Sequence, residues 1–418
     1  MFLTLYTNES GEVMEHPHMT MLGRSGSEWM VPEKKEMMPL PRGASLVKIP
    51  HHIPVGLDGE DKLGYFEMDP VDEPHKANAV AALLPQGFTR TLLPACVSTT
   101  SEEGLPLLGY AAVGLKDDQI WVAAMQSDEH RKWHPRFYNT DGLLPRIRRM
   151  LHKYPENRIY RQLAQCSLKY SCFTAQNIFY QRWEGGIPTM RACNAACIGC
   201  ISENHGEIAS PQERIDFTPS SQEISQVASE HLCKSREGII SFGQGCEGEP
   251  SLNAVTLADA IRTVRQQTDQ GTVNINTNAG YFEGIRMMCE AGLNAMRVTL
   301  FSGKEEHYNI YHRPQNYCLA DVENSIRYAR DRGVKVSINL LTFPGFTDRK
   351  DEVESLFSFL HRNPVDMIQL RNLNIDPDLL LDQFDTRSEV MGIPGLITLL
   401  QEELPGVKLG SYTHPHQD

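Results

Sequence analysis

The chain has 418 residues, of which 40% are hydrophobic and 22% charged, and its formal net charge is −13. This length allows two or three domains at roughly 150 residues each. No apolar run approaches the roughly 20 residues of a membrane span, and the N-terminus lacks the basic start and apolar core of a signal peptide. The negative charge disfavours a dedicated nucleic-acid binder, and the composition is typical of a soluble globular protein.

Residues 1–140 are predicted to form a β-rich domain. Short strands are expected at 45–49 and 64–68. The segments 109–115 and 119–124 flank Lys116-Asp117-Asp118 and are predicted to pair as a hairpin. No residues in this region have a catalytic spacing, and docking of a substrate is one role that such a domain would serve.

Residues 141–185 are predicted to be a helical linker, with helices at 143–153 and 157–183 separated by Pro155. Between His130 and Arg161 the chain carries nine Lys or Arg and two acids, with five aromatic residues interleaved. Such a stretch can bind a phosphate backbone and stack bases. A charge run of this kind is more often a solvated helix face, which is the interpretation favoured here.

The ten cysteines are distributed unevenly, and three of them follow the spacing Cys193-x3-Cys197-x2-Cys200. They lie too close together for a disulfide framework, so the pattern indicates metal chemistry in a reducing, cytoplasmic compartment. Thiolates favour zinc, Cu(I) or iron–sulfur clusters. On a four-iron cluster, three cysteines leave one iron without a protein ligand. Alternatively, His205 would complete a structural Cys3His zinc site in a non-catalytic protein.

The remaining cysteines carry less information. Cys166 and Cys172 are six residues apart on the predicted helix, about 120° apart around its axis, and are interpreted as separate packed thiols. A second cluster would need further ligands, for example Cys96, and the spacing does not demand one.

Strands and helices alternate after residue 186, which predicts a parallel sheet in a partial (β/α)6 TIM-type barrel over 186–375, followed by a C-terminal extension over 376–418. Strands are expected near 187–192, 238–242, 272–276, 295–300, 334–340 and 366–371, and helices near 221–233, 252–267, 281–291, 319–332 and 350–361. Active sites of such barrels lie at the C-terminal ends of the strands, where the three cysteines would be.

A glycine-rich turn follows the second predicted strand and ends in Glu247-Gly248-Glu249-Pro250. Glycines let the backbone approach a ligand closely, and carbonyl groups at a strand end suit an ammonium group, to which Glu249 would add charge. A glycine-rich turn is weak evidence by itself. Its position one β-α unit after the three cysteines makes it informative.

The cysteine spacing and the Glu247-Gly248-Glu249-Pro250 turn together resemble the radical S-adenosylmethionine (radical SAM) superfamily over roughly residues 186–375. Glu247 stands where the family has the first glycine of Gly-Gly-Glu-Pro. Gly199 stands where the family often has an aromatic residue that packs near the adenine.

The resemblance implies an enzyme in which Cys193, Cys197 and Cys200 hold a [4Fe–4S] cluster whose open iron binds S-adenosyl-L-methionine. Reductive cleavage would give a 5′-deoxyadenosyl radical that abstracts hydrogen from a substrate, with reduced flavodoxin or ferredoxin as electron donor. The cofactor-binding residues that the resemblance suggests are Gly248, Glu249, Pro250, Asn276, Arg297 and Ser302.

The substrate is left open among a peptide or protein, a small metabolite and RNA. The loop 303–314 is long for a β-α connection and is a candidate for substrate contact, with a surface loop as the competing interpretation. By resemblance, 342–348 would pack against the adenine, and polar residues of 369–374 would reach the same pocket. The sequence lacks the Asp-x-His-x-x-Gly motif of a cobalamin module, so a B12-dependent reaction is disfavoured.

Overall fold

The computed structural model describes residues 1–72, 74–100, 104–129, 131–138, 141–204, 209–384 and 388–415. Its strands in chain order are β1 (Leu3–Thr7), β2 (Val13–Met21), β3 (Gly23–Ser25), β4 (Glu28–Met30), β5 (Met37–Pro39), β6 (Ser45–Lys48), β7 (His52–Leu57), β8 (Leu63–Tyr65), β9 (Asn78–Leu83), β10 (Phe88–Arg90), β11 (Leu93–Pro94), β12 (Cys96–Ser98), β13 (Tyr110–Ala111), β14 (Val113–Lys116), β15 (Gln119–Gln126), β16 (Arg182–Gly186), β17 (Arg236–Phe242), β18 (Thr272–Thr277), β19 (Ala295–Leu300), β20 (Lys335–Thr342), β21 (Met367–Asn372) and β22 (Lys408–Gly410). The α-helices are α1 (Leu143–Lys153), α2 (Arg158–Lys169), α3 (Phe173–Tyr180), α4 (Ser221–Leu232), α5 (Ala254–Gln267), α6 (Phe282–Ala291), α7 (Glu305–His312), α8 (Leu319–Asp331), α9 (Lys350–Arg362), α10 (Pro377–Leu381) and α11 (Ile393–Glu403).

The region before α1 is rich in antiparallel strand pairs, as predicted. β14 and β15 form the expected hairpin, with Lys116 opposite Gln119. Asp117 and Asp118 both have positive φ, 52° and 55°. Two adjacent positive φ values are typical of the type I′ turn that matches the twist of a hairpin.

The predicted single helix over 157–183 is wrong. The structure has two helices there, α2 and α3, because Ser171 takes a positive φ of 50° between them. Asn157 caps α2, its side chain accepting hydrogen bonds from the backbone N–H groups of Ile159 and Tyr160. Cys172 stands at the N-cap of α3, so it does not share a helix with Cys166 as the sequence suggested.

The second half of the chain folds as the predicted partial barrel. Strands β16 to β22 form one parallel sheet in sequence order, with the helices packed on its outer face. Met296, Val298 and Leu300 of β19 point into that outer core, and α8 buries Val322 and Ile326 against it. β22 lies in the C-terminal extension and adds a parallel strand beyond the six expected ones.

The first barrel strand lies earlier than the sequence indicated. The prediction of 187–192 is wrong, since β16 ends at Gly186. Pro188 has no N–H to donate to a sheet. The next backbone N–H groups, those of Thr189 and Met190, donate to the Glu247 carboxylate instead of to a neighbouring strand.

The gap between the two edge strands, β16 and β22, is bridged by the segment 131–138. Arg182 of β16 donates to the Phe137 carbonyl at 2.5 Å, and its guanidinium lies over the Tyr138 ring. On the other side, Trp133 packs against Tyr412, which follows β22, with ring centroids 5.9 Å apart. Aromatic residues that were candidates for base stacking therefore complete the barrel wall.

Several positive charges of the same stretch are paired with acids. Lys132 contacts Glu237, Lys153 contacts Glu230 and Arg158 contacts Glu223 at 2.5–2.7 Å. This arrangement agrees with the interpretation of the stretch as a structural face. In the described residues, no helix has the length and apolar character needed to cross a bilayer.

The N-terminal β region packs on the C-terminal ends of the barrel strands. Arg90 is buried there and donates to the Leu373 carbonyl at 2.7 Å, and its guanidinium lies over the Phe343 ring. Gly26 donates to the Pro344 carbonyl at 3.0 Å. The segments 342–348 and 369–374, which the sequence linked to the adenine and its pocket, are thus partly covered by the N-terminal region.

Candidate active site

The three cysteines lie on one loop, residues 191–200, at the C-terminal edge of the sheet; we call it the cysteine loop. All three are half-buried, and none forms a disulfide among the described residues. Burial raises the pKa of Cys193 to about 11 and that of Cys197 well above its usual range, and the charges of the other cysteines add to both shifts. Ionised thiols of this loop therefore disfavour one another's ionisation.

The donor set of the cysteine loop fits a soft, positively charged group. A bound cation would relieve the mutual repulsion of three thiolates and would deprotonate them on binding. Arg214 lies beside Cys200, with its Nη2 3.6 Å from the sulfur. In the described part of the chain, no three His, Cys, Asp or Glu side chains already stand in a metal-binding arrangement.

The glycine-rich turn is hydrogen-bonded directly to the residues that lead into the cysteine loop. We call residues 243–250 the glycine loop. Gly248 donates to the Met190 carbonyl at 2.6 Å, and Glu249 donates to the Ala192 carbonyl at 2.9 Å. A Cβ at position 248 would lie 2.0 Å from the Ala192 oxygen, so only glycine fits there. The two sequence motifs form one structural unit.

Glu247 connects the same two segments through its buried carboxylate. One oxygen accepts from the Thr189 N–H, the Thr189 hydroxyl and the Met190 N–H at 2.7–3.2 Å. The other oxygen accepts from the N–H groups of Gly243 and Gln244 at 2.6 and 3.2 Å. Burial raises the pKa of Glu247 to about 8, although these hydrogen bonds lower it. Glu247, which departs from the family pattern, thus links the glycine loop to residues 189–190, which directly precede the cysteine loop.

Glu249 does not present its carboxylate to an open site. The side chain is 4% exposed and accepts from the Thr277 hydroxyl and from the N–H groups of Asn278 and Ser251. Its charge fixes the end of β18 against the glycine loop. The Glu249 carboxylate is therefore held by hydrogen bonds within the protein, and its contribution of charge to a bound ammonium group stays a prediction.

The segment 303–314 is not a surface loop. It contains α7, and its end runs along the cysteine loop: Ile198 donates to the Tyr311 carbonyl at 3.0 Å, and Ala196 donates to the His312 carbonyl at 3.1 Å. A Cβ at Gly199 would lie 2.5 Å from the Tyr311 hydroxyl. Tyr311 therefore occupies the space beside position 199, where the family often has an aromatic residue of its own.

His312 contacts the cysteine loop through its side chain. Its Nδ1 lies 3.3 Å from the Cys197 sulfur, and its Nε2 is buried with no hydrogen-bond partner among the described residues. Burial lowers the pKa of His312 to about 3, so the imidazole is neutral. No spacing in the sequence linked this histidine to the cysteines; His205, the predicted zinc ligand, lies outside the described residues.

The other predicted cofactor-binding residues are placed differently from one another. Asn276 lies on the inner face of the sheet, 7% exposed, and its Nδ2 has no partner among the described residues. Arg297 lies opposite it on β19 but directs its Nη1 to Gln369 and Thr413, on the far side of the barrel. The Ser302 hydroxyl donates to Glu352 of α9 at 2.5 Å, so it is held within the protein.

The Cys166 thiol is not isolated, because a hydrogen bond joins it to Cys246 of the glycine loop and lowers the pKa of Cys166. Cys172 bonds to the Thr174 hydroxyl at 3.3 Å. Cys96 is half-buried in the N-terminal region near Arg24 and Asp378, which agrees with a packed thiol. Cys246 was not singled out from the sequence, since it shares no spacing with another cysteine.

Comparison with known families agrees with this arrangement. Residues 187–360 match the model of the radical SAM superfamily. The domain formed by these residues belongs to the radical SAM superfamily. A search of curated protein sequences finds no match.

Solved structures with detectable similarity are distant. Methylornithine synthase (PylB) is 15% identical, covering 57% of this chain and 68% of that chain with a TM-score of 0.38. The hydrogenase maturase HydG from Carboxydothermus hydrogenoformans is 14% identical, covering 63% and 68% with a TM-score of 0.36. The AdoMet-bound enzyme anSMEcpe is 14% identical, covering 46% and 52% with a TM-score of 0.37. This chain spans about half the length of anSMEcpe.

Proposed function

We propose that this chain is a radical SAM enzyme that holds a [4Fe–4S] cluster on Cys193, Cys197 and Cys200 and binds S-adenosylmethionine against the glycine loop. The observation that carries the proposal is the direct bonding of Gly248 and Glu249 to Met190 and Ala192. The three cysteines and the glycine loop are thereby held next to each other, which supports the proposal that they act on one bound group.

The bound cluster and S-adenosylmethionine would supply reductive cleavage of the sulfonium, giving methionine and a 5′-deoxyadenosyl radical that abstracts a substrate hydrogen. Reduced flavodoxin or ferredoxin is the proposed electron donor. The residues of this chain position and protect that chemistry. Glu247 and Glu249 fix the glycine loop, and α7 holds the other side of the cysteine loop. The side-chain Nδ2 of Asn276, which has no partner among the described residues, is the proposed polar contact to S-adenosylmethionine.

Aromatic packing and the N-terminal region keep water away from this edge of the barrel. Phe301 stacks on Tyr311 and Phe346 with ring centroids 4.3 and 4.5 Å apart. Leu93 and Leu107 of the N-terminal region join the same cluster. Exclusion of water protects a reactive radical from side reactions. We propose that 1–140, 141–185, 186–375 and 376–418 act as the β-rich cover, the linker, the catalytic core and the extension of a cytoplasmic enzyme.

Anaerobic reconstitution tests the proposal. The full-length protein should be brown, contain about four irons per chain, and release 5′-deoxyadenosine from S-adenosylmethionine under reduction. Cys193→Ala should abolish the 5′-deoxyadenosine signal measured by mass spectrometry. Cys233→Ala, which changes an exposed cysteine remote from the loop, is the matched control and should behave as wild type. A colourless protein with one zinc and no cleavage would instead support the structural zinc alternative.

A further inference from the structure

A cavity of about 310 Å³ opens at the N-terminal ends of the barrel strands, at the opposite end of the sheet from the cysteine loop. Lys335 and Lys408, the first residues of β20 and β22, both line it. The cysteine and glycine loops follow the C-terminal ends of β16 and β17, so the proposed function leaves this cavity unused. Its volume is in the range of small-molecule sites.

Lys408 is positioned by a chain of two further side chains. His414 Nε2 lies 2.9 Å from Asp128 Oδ2, and His414 Nδ1 lies 3.0 Å from Lys408 Nζ. Because the carboxylate can only accept, Nε2 carries the imidazole proton and Nδ1 accepts from the ammonium group. A Cβ at Gly410 would lie 2.5 Å from the same Asp128 oxygen, so a glycine is needed for this approach. Lys408 is thus held by a neutral acceptor and keeps its charge and two further N–H donors.

Lys335 shares its carboxylate partner with other donors. Its Nζ lies 3.5 Å from Asp366 Oδ1. The other oxygen of Asp366 contacts Arg330 at 2.5 Å and accepts from the Val336 N–H at 2.8 Å. Among the described residues that line the cavity, Asp366 is the only acid, and it faces two lysines. The wall of the cavity therefore carries more positive than negative charge.

Two hydroxyl groups of the cavity wall add further donors. Gln369 Nε2 donates to the Ser337 hydroxyl at 3.3 Å, and Arg297 Nη1 donates to the Thr413 hydroxyl at 3.1 Å. A hydroxyl that accepts keeps its own O–H to donate, and no acceptor for either O–H is found among the described residues. Ammonium and hydroxyl donors thus line the same space, as an oxyanion requires.

We infer that this cavity is a second ligand site, which binds a small molecule through a phosphate group held between Lys335 and Lys408. A phosphate brings up to two negative charges and three acceptor oxygens, which matches two ammonium groups and two hydroxyls. Lysine binds phosphate as a point charge, whereas a planar carboxylate is matched best by the fork of an arginine, and no arginine lines the described cavity. The site does not depend on the proposed function. Free phosphate and a phosphate ester share this chemistry.

The test titrates inorganic phosphate and glycerol phosphate into the reconstituted full-length protein by calorimetry, in chloride buffers of constant ionic strength. Both should bind, and each should raise the thermal midpoint by about 2 °C at tenfold its Kd. Tighter binding of glycerol phosphate identifies an ester as the ligand, and tighter binding of inorganic phosphate identifies the free ion.

Variants locate the binding. Lys408→Gln and Lys335→Gln should each weaken it by about tenfold or more, because each removes one charged donor. Lys62→Gln removes an exposed lysine of the N-terminal β region and should bind as the wild type does. Circular dichroism checks that each variant folds, and either cavity variant carries the test if the other does not fold.

Three results would overturn the inference. The first is the absence of any heat of binding or midpoint shift for both probes. The second is unchanged binding in Lys408→Gln and Lys335→Gln, which places the anion elsewhere. The third is loss of phosphate binding on saturation with S-adenosylmethionine, which assigns the phosphate to the cofactor's site. Phosphate binding without 5′-deoxyadenosine formation would count against the proposed function and leave this second site standing.

Discussion

The cysteine loop is held from two sides, and the two sides differ in how they are encoded. On one side, the glycine loop contacts it through a recognisable motif, Gly248-Glu249-Pro250, reinforced by Glu247. On the other side, α7 contacts it through the carbonyls of Tyr311 and His312, with no motif in the sequence. Both sides bond through backbone carbonyl groups and both include a closely approached glycine, Gly248 or Gly199, but only Gly248 lies in a sequence motif.

Adding one methyl group to the glycine-loop side should have the largest effect. Gly248→Ala would place a Cβ 2.0 Å from the Ala192 oxygen, so the two loops must separate. We expect a loss of ~1–3 kcal/mol in the free energy of unfolding, together with loss of iron retention and 5′-deoxyadenosine formation. The measurements are denaturant unfolding and iron content. Gly142→Ala is the control, because nothing lies within 4 Å of that position. If both variants bind iron as the wild type does, the contact does not organise the site.

Removing the carboxylate of Glu247 should have the second-largest effect on stability and iron content. Glu247→Ala would leave five donor groups without their acceptor in a buried place, at a cost of ~1–3 kcal/mol. Glu247→Gln keeps one oxygen and the volume of the side chain, so it should be milder. Chemical denaturation and iron content of the three proteins measure this order. Equal stability of Glu247→Ala and the wild type would show that the bridge contributes nothing.

The raised pKa of Glu247 predicts that the stability of the folded protein depends on pH. The pKa of Glu247 is raised to about 8 in the folded protein, above that of an unfolded glutamate. The folded state therefore binds this proton more tightly, and its contribution to stability is lost as the pH rises from about 5 to about 8. Relative to Glu247→Gln, the wild type should become less stable over this window. Unfolding curves of both proteins at the two ends of the window check the sign.

A substitution on the α7 side should destabilise the protein less, and a second substitution should partly restore the stability. Gly199→Ala would place a Cβ 2.5 Å from the Tyr311 hydroxyl, which can move more easily than a backbone atom. Tyr311→Phe removes that hydroxyl, so the double variant should be less destabilised than the sum of the two single variants. A double-mutant cycle in the free energy of unfolding measures the coupling. Additive effects would mean that Tyr311 does not fill the space beside Gly199.

The sequence predicted the elements whose pattern is local. The strands β17 to β21 and the helices α4, α5, α6, α8 and α9 are all confirmed near their predicted positions. Each depends on residues that are close in the chain. The hairpin at Asp117 and Asp118 was predicted for the same reason.

The elements that were missed depend on contacts between distant residues. β16 ends before Pro188 because Glu247 takes the next N–H groups, and Glu247 lies far along the chain from them. α7 was treated as a loop because its buried residues serve two different clusters: Tyr311 packs with Phe301 and with Ile198 of the cysteine loop, whereas Tyr308 joins the main barrel core. β22 is three residues long and joins the sheet only through its pairing with β21.

The segment 131–138 has a further consequence for how the chain can be divided. The family match covers 187–360, whereas β16, β22 and the bridging segment between them lie outside it. Expressed alone, the matched portion would carry two open sheet edges and an interior exposed to solvent. An engineer who wished to move the matched portion into another protein would have to transplant pieces from both ends of the chain along with it.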